Sequence, residues 1–332
     1  GPLSPRSPLM ALAADRYALV ADTGGTNTRV ALAEGTKLLP DTIRRYANAE
    51  HASLAAVLET FIAENNGVDC GAAAVAVAGP VRDGLGRLTN LDWEIDEATV
   101  ASATKAERVA VVNDLQAQGH ALGHLEAKAL TPIVDGPAHK AGATRLVIGV
   151  GTGFNTAPVH EGAFGRLVAP AEAGHVTLPV RSEADLRLAR FLAREHGFAT
   201  VEDALSGRGL GHLYAWLGEE AGTPQTATAA EIMAALADGS DPRAEETARL
   251  FARLFGAVAG DLALTMLPFG GVYLAGGVAR ALAPYLVRFG FTEAFRDKGR
   301  FSAFMKDFAV SVIEDDYAAL HGLANHLARL AA

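Results

Sequence analysis

The sequence predicts an α/β protein built from two similar halves. Three observations carry that prediction. Short apolar runs that read as strands alternate with longer segments of helical periodicity. The order occurs twice along 332 residues. Each half also opens with a strand that ends in a turn of Gly and Thr: Asp22-Thr23-Gly24-Gly25-Thr26-Asn27 in the first and Gly151-Thr152-Gly153 in the second. A dinucleotide fold places its glycine turn between a strand and a helix, whereas both of these turns join two strands. The halves are alike in architecture and not in sequence.

The elements follow in order. Tyr17–Ala21 and Thr28–Leu32 form a hairpin around the first turn. Residues 52–64 repeat Leu54, Val57, Leu58 and Phe61 at helical spacing, Ala73–Ala78 reads as a buried strand, and Val109–Val112 is another that ends in Asn113-Asp114. A helix then runs to about Leu122. The second half begins near residue 125, with Leu146–Ile148 leading into its glycine turn. Residues 183–196 form an amphipathic helix with Leu188, Phe191 and Leu192 opposite Arg187, Arg190 and Arg194. Asp241-Pro242 is a helix start, a capping carboxylate followed by proline, and that helix extends to about Leu267. Val272–Ala275 is a strand that ends in Gly276-Gly277, a helix spans 278–288, and a last helix from about Asp316 buries Leu320, Leu323, Leu327 and Leu330.

Composition narrows the function classes. Apolar residues make up 50% of the chain, enough for a large core, and the 35 glycines follow no three-residue period, which excludes a collagen-like chain. One cysteine, Cys70, excludes an internal disulfide and any Cys-rich zinc or iron–sulfur site. A net charge of −9 argues against nucleic-acid or anionic-membrane partners. It does not oppose an anionic ligand, because backbone amides bind phosphate on an acidic protein. No apolar run reaches the 18 residues of a membrane span. Residues 1–10 read as a disordered expression remnant ahead of a natural start at Met10, and a cytoplasmic location is expected.

Three turns suit phosphate: Gly24, Gly25, Thr26 and Asn27 after Asp22; Gly151, Thr152 and Gly153; and Gly276 with Gly277, which precede a helix N-terminus. Each alone is also an ordinary turn; their joint spacing is the informative feature. No G-x-x-x-x-G-K-[ST] occurs, so a P-loop enzyme is not expected. Asp22 and Asp114 both end strands. A carboxylate at the first turn can hold a metal-bound water, and one at a strand end can serve as general base or cap the helix that follows. Glu172 and His175 are three apart, and Glu202 precedes Leu205-Ser206-Gly207-Arg208-Gly209-Leu210; carboxylates, imidazole and amide together suit a polyol. His120 and His124 lack the Glu of H-E-x-x-H and read as helix-surface residues.

These residues resemble the bacterial glucokinases of the hexokinase and actin-like ATPase superfamily, in the group without a Cys-rich zinc motif. The resemblance runs from Tyr17 to His326 and rests on Leu19–Arg29, Thr89-Asn90-Leu91-Asp92-Trp93, Val112-Asn113-Asp114, Gly151-Thr152-Gly153, Glu172–Val176, Glu202 with Leu205–Leu210, Gly270–Val278 and Phe295–Phe301. It implies a two-domain, ribonuclease H-like fold with an interdomain cleft. One domain would comprise residues 11–123 with 315–332, and the other residues 124–314. It further implies ATP- and Mg²⁺-dependent phosphorylation of D-glucose at O6, the first step of glycolysis, by a homodimer. Asp114 would be the general base, with Asn113, Asp114, Glu172, His175 and Glu202 on the sugar. Asp22 would hold Mg²⁺ through water beside Gly24–Asn27, Thr152 would sit on the second phosphate loop, and Gly276-Gly277 would lie near the adenosine.

The family's second loop usually reads Gly-Thr-Gly-Leu-Gly, and Phe154-Asn155 stands here in place of Leu-Gly. Asn tolerates positive φ, which would keep the turn, and its amide would bear on the phosphate donor. Other readings are a kinase for mannose, fructose or glucosamine, a non-catalytic sugar-binding regulator, and a phosphohydrolase or chaperone-type ATPase on the same fold. An intact Asp114 and three phosphate turns weigh against the regulator, and the sugar-suited Glu172, His175 and Glu202 weigh against the hydrolase.

Overall fold

The computed structural model describes residues 16–88, 91–139 and 141–331. The 1–10 leader and the Thr89-Asn90 pair of the Trp93 motif lie outside the described residues. The chain forms two compact units: one runs to Leu125 and resumes at Asp315, and the other is Glu126–Glu314.

The first unit is a sheet of β1 (Tyr17–Thr23), β2 (Asn27–Glu34), β3 (Lys37–Leu38), β4 (Arg44–Ala47), β5 (Ala72–Val77) and, after a small separate sheet of β6 (Val81–Arg82), β7 (Leu85–Arg87) and β8 (Glu94–Asp96), β9 (Arg108–Asn113). The order is β3-β2-β1-β5-β9, with β4 also paired to β2. β1 and β2 are antiparallel; β1, β5 and β9 are parallel. Period-two alternation splits the sheet into two cores. One face, with Leu19, Ala21, Val75 and Val77, packs against α1 (Leu54–Glu64) and α2 (Glu97–Thr104) through Val57, Leu58, Phe61 and Val100. The other face is dominated by Ala31, Ala33, Ala72, Ala74, Ala76 and Ala110. Small side chains let helices come close, and α3 (Asp114–Ala121) lies here with α11 (Ala318–Ala331), which buries Leu320, Leu323 and Leu327.

The second unit repeats the plan. Its strands are β10 (Leu130–Val134), β11 (Arg145–Val150), β12 (Phe154–Gly162), β13 (Gly165–Val168), β14 (Val272–Ala275) and β15 (Val310–Ile313). The order is β10-β15-β14-β11-β12-β13, again a hairpin (β11 and β12) followed by two parallel neighbours (β14 and β15). The similarity of halves read from the sequence is thus a similarity of strand order, with β10 added at one edge. Helices α4 (Glu183–Leu192), α5 (Val201–Ala204), α6 (Gly207–Glu220), α7 (Ala229–Asp238), α8 (Pro242–Met266), α9 (Gly277–Leu286) and α10 (Phe291–Arg296) complete the unit. The core centres on Phe251, Phe255, Phe291, Phe295 and Tyr214, all buried.

Asp241 caps α8 as the sequence indicates, its Oδ1 accepting from the Arg243 amide at 2.9 Å. The amphipathic segment at 183–196 is helical only to Leu192. The expectation that both histidines lie on a helix surface is corrected for His120, and for His124, which is exposed, only in that it lies off the helix. His120 is buried, 5% exposed, and stacks on His326 of α11 with ring centroids 4.1 Å apart. His124 lies beyond α3, which ends at Ala121, and its Nε2 sits 2.6 Å from Arg329. α3 packs against α11 through its alanines, so the residue one turn from Ala117 faces the helix partner and not solvent.

Candidate active site

In the first unit the site residues share one sheet edge. Parallel pairing sets Thr23 opposite Val77 and Val77 opposite Asn113, so the C-terminal ends of β1, β5 and β9 are level. Two strand spacings separate the Asp22-bearing end from the Asn113-Asp114 end, roughly 10 Å.

Asn113 and Asp114 divide their duties differently from the sequence reading. Asn113, and not Asp114, caps α3: its Oδ1 accepts from the Gln116 amide at 2.8 Å while Gln116 Oε1 accepts from the Asn113 amide at 3.1 Å. This reciprocal capping box fixes the backbone of Asp114 at the first helical position. Asp114 is half-buried, and its Oδ1 accepts from the Leu115 amide at 3.1 Å. The Asn113 side chain spends its oxygen on the cap, which leaves its NH₂ as the group that can serve a ligand hydroxyl.

The Gly24–Asn27 turn is closed by the Gly24 amide donating to Asn27 O at 2.9 Å. Asn48, which the sequence reading missed, holds it from behind. Its Nδ2 donates to Gly24 O at 2.7 Å, its backbone amide to Thr26 O at 2.8 Å, and its Oδ1 accepts from Thr28 Oγ1 at 2.7 Å. Asn48 is 1% exposed. It lies more than 20 residues from the turn, and only the pairing of β4 with β2 brings it there. Asp22 faces Arg29 across the hairpin. Burial pushes its carboxyl up to about 6, with Arg29 pulling the other way.

The second unit gathers its own set. The Gly151 amide donates to Gly153 O at 3.0 Å, and Gly151 O accepts from the Gly207 amide at 2.8 Å. That amide belongs to the first turn of α6, whose N-cap Ser206 accepts from Gly209 at 3.0 Å. A Cβ on Gly207 would touch Val278 at 3.9 Å, so the N-termini of α6 and α9 meet at this turn. Two positive dipole ends at one glycine turn favour an anion there. Gly276 has φ 97°, and a side chain on it would run into Val150 O, so this position needs glycine on both counts.

Glu202 sits on α5 beside the turn. Its Oε1 accepts from the Phe154 amide at 2.9 Å, and its Oε2 lies 3.5 Å from Arg208. Glu172 and His175 are one 3₁₀ turn apart, which places their side chains on the same side, Nε2 to Oε2 3.9 Å. Both are exposed, as is Thr152. Gly174 packs so closely on β12 that a side chain there would strike Phe154 O. The second unit therefore brings Gly151–Gly153, Glu202 and the 172–175 segment together.

Asn155 is another residue whose role the sequence misjudged. It lies in β12 with no positive φ, and its amide bonds to Ala171 and Ala173, away from the glycine turn. The Phe295–Phe301 motif proves structural: Phe295 is buried, and Lys298 donates to Ala257 O at 3.0 Å and to Asp261 at 2.7 Å, fastening the loop to α8. A separate cavity of about 1010 Å³ in the second unit, lined by Arg249, Arg253, Phe289 and Arg296 among others, contains none of the expected site residues.

Comparison with solved structures agrees with this fold. A glucokinase from an Antarctic psychrotroph superposes with a TM-score of 0.85 at 29% identity, over 95% of this chain and 99% of that one. A ROK family glucokinase from Streptomyces griseus, in complex with glucose and AMPPNP, shares the fold at a TM-score of 0.62 and 21% identity, over 95% and 99%. The molecule is a sugar kinase of the two-domain, actin-like ATPase fold. At the level of sequence, the glucokinase from Brucella suis biovar 1 (strain 1330) is 36% identical over 307 residues, 92% of this chain and 89% of that protein. The family profile described as Glucokinase matches residues 19–330, and the chain belongs to the glucokinase family, enzymes that phosphorylate glucose with ATP. No helix among the described residues is long and apolar enough to cross a membrane.

Proposed function

We propose that Asp114 is the general base for transfer of the γ-phosphoryl group of ATP to O6 of D-glucose. Asn113, Glu172, His175 and Glu202 hold the other hydroxyls. The observation that supports this most is the shared edge of the first sheet. It carries a carboxylate at the start of α3, fixed by a capping box, and a glycine turn two strands away.

The 6-hydroxyl gives its proton to Asp114 as it attacks the phosphorus in line, and the amides of the glycine turns take up charge on the phosphoryl oxygens. In the second unit, the Gly151–Gly153 turn and Gly276-Gly277 receive the nucleotide, with the ends of α6 and α9 supplying positive potential. Glu202 has one oxygen committed to Phe154 and shares the other, 3.5 Å from Arg208, with the sugar. Asp22 fits a Mg²⁺ ion carried by the nucleotide. It is a single desolvated carboxylate, and such a site suits a cation that keeps its waters and takes its other ligands from phosphates. When bound, the ion supplies neutralisation of phosphate charge. Homodimeric assembly and a cytoplasmic location are proposed from the family resemblance, and light scattering would show one protomer mass or two.

The test is Asp114→Asn. Turnover should fall by roughly 10²- to 10⁴-fold while glucose still binds. Turnover near wild type would exclude the general-base role. A sugar panel run with ATP, other nucleotides and polyphosphate then fixes acceptor and donor together.

A further inference from the structure

We propose that Asn155 is the positioning residue for the sugar-recognition segment, so that its substitution changes affinity for the sugar and not for the phosphate donor. The inference rests on the reading of Glu172 and His175 as sugar-binding residues and adds to it the group that aims them.

The Asn155 side chain makes three hydrogen bonds. Its Nδ2 donates to Ala171 O at 2.8 Å, and its Oδ1 accepts from the Ala173 amide at 3.1 Å and from the Thr156 amide at 2.8 Å. Ala171 O and Ala173 N belong to the two peptide planes on either side of Glu172. A rigid peptide chain has two soft dihedrals per residue, and pinning both flanking planes fixes both of them. Glu172 has φ −128° and ψ 54°, a conformation maintained by no helix or strand ladder. The direction of its Cα–Cβ bond is therefore set by Asn155. The 3₁₀ turn that follows carries the same constraint to His175, whose amide donates to Glu172 O at 3.2 Å.

The chemistry selects an amide at this position. One planar group must donate to a carbonyl and accept from two N–H groups at once. Aspartate lacks the donor, serine lacks the reach, and glycine supplies neither. The anchor is firm because Asn155 sits in β12 between Phe154 and Thr156, both buried. The neighbouring Phe154 amide is held by Glu202, so one short stretch of β12 serves both glutamates of the sugar set. None of the three bonds reaches the Gly151–Gly153 turn, which has its own support from Gly207.

The experiment compares Asn155→Gly and Asn155→Asp with wild type by steady-state kinetics in glucose and in ATP separately. Both variants should raise the glucose KM roughly tenfold, the equivalent of one or two buried hydrogen bonds, and leave the ATP KM within about twofold. An unchanged glucose KM in both, or an ATP KM that rises as much as that of glucose, overturns the proposal. Should one variant fold poorly, isothermal titration of glucose onto the other gives the same reading. Glu172→Gln runs alongside. If it leaves the glucose KM unchanged, the assignment of Glu172 to the sugar is wrong. If it raises the glucose KM while the Asn155 variants do not, only the positioning role is wrong.

Discussion

The glycine turn of the first unit and that of the second are the same device supported in two ways. Each closes an antiparallel hairpin at the end of a strand with parallel neighbours. The first is braced by one buried side chain, Asn48, which ties Gly24, Thr26 and Thr28 together and contacts nothing of the sugar set. The second is braced by the start of α6, and the strand that leaves it carries Glu202's partner and the clamp on Glu172. The lesson is that the first turn is insulated and the second is wired to sugar recognition. Perturbing the brace in the first unit should change phosphate handling alone. Perturbing β12 should reach the sugar.

The largest effect that would sharpen this contrast comes from Asp22→Asn. Turnover should fall roughly 100-fold or more, since the carboxylate at the first turn is removed. Stability should move the other way. Burial raises the Asp22 carboxyl from 3.8 to about 6, so the ionised form is penalised in the folded protein above that pH. Removing the charge should stabilise the protein at pH 7.5, by about 3 kcal/mol at most, and raise its melting temperature. A melting temperature below wild type would show that the carboxylate is stabilised by its surroundings. Next comes Asn48→Ala, expected to cost about 2–3 kcal/mol in urea unfolding and to raise the ATP KM roughly tenfold with the glucose KM unchanged. A matching rise in the glucose KM would break the claim that the first turn is insulated.

The smallest effect concerns the back of α3. His326 is partly buried against His120, with Arg329 nearby and His124 on that same Arg329, and both burial and Arg329 hold the His326 imidazole below its usual range. The unfolded chain then binds the proton more readily, so stability is full at neutral pH and is lost as pH falls through about 6.5. The melting temperature should drop between pH 7.5 and 5.5, and His326→Leu should flatten that dependence. An equal drop in the variant would assign it to other groups.

Much of this was legible in the sequence. Strand alternation around Leu19–Val20 and Ala73–Val77, the proline start at Pro242 and the glycine turns are local signals, and the elements they announce are present. Glu172 and His175 stood out as an acid and an imidazole three residues apart; that the spacing is one turn of a 3₁₀ helix appeared only in the structure. What was not legible depends on contacts distant in sequence. Asn48 and Asn155 are ordinary loop and strand residues until pairing places them against Gly24 and Ala171. The capping role went to Asn113 and not Asp114 because the helix begins at Asp114 itself, one residue earlier than a capping carboxylate there would require. His120 looked solvent-facing because nothing near it in sequence announces that α11 lies over it.

The alanine face of the first sheet has a consequence for how the protein is made. Its cover includes α11, encoded after the whole second unit. During synthesis the second unit is contiguous and can close on its own as it leaves the ribosome. The first unit waits: β1, β5 and β9 can pair early, yet the side lined by Ala72, Ala74 and Ala76 has only part of its cover, from α3, until residues beyond Asp315 arrive. A face of alanines suits that interval. It offers little apolar surface per residue for a stray chain to grip, while admitting the right helix closely once it appears.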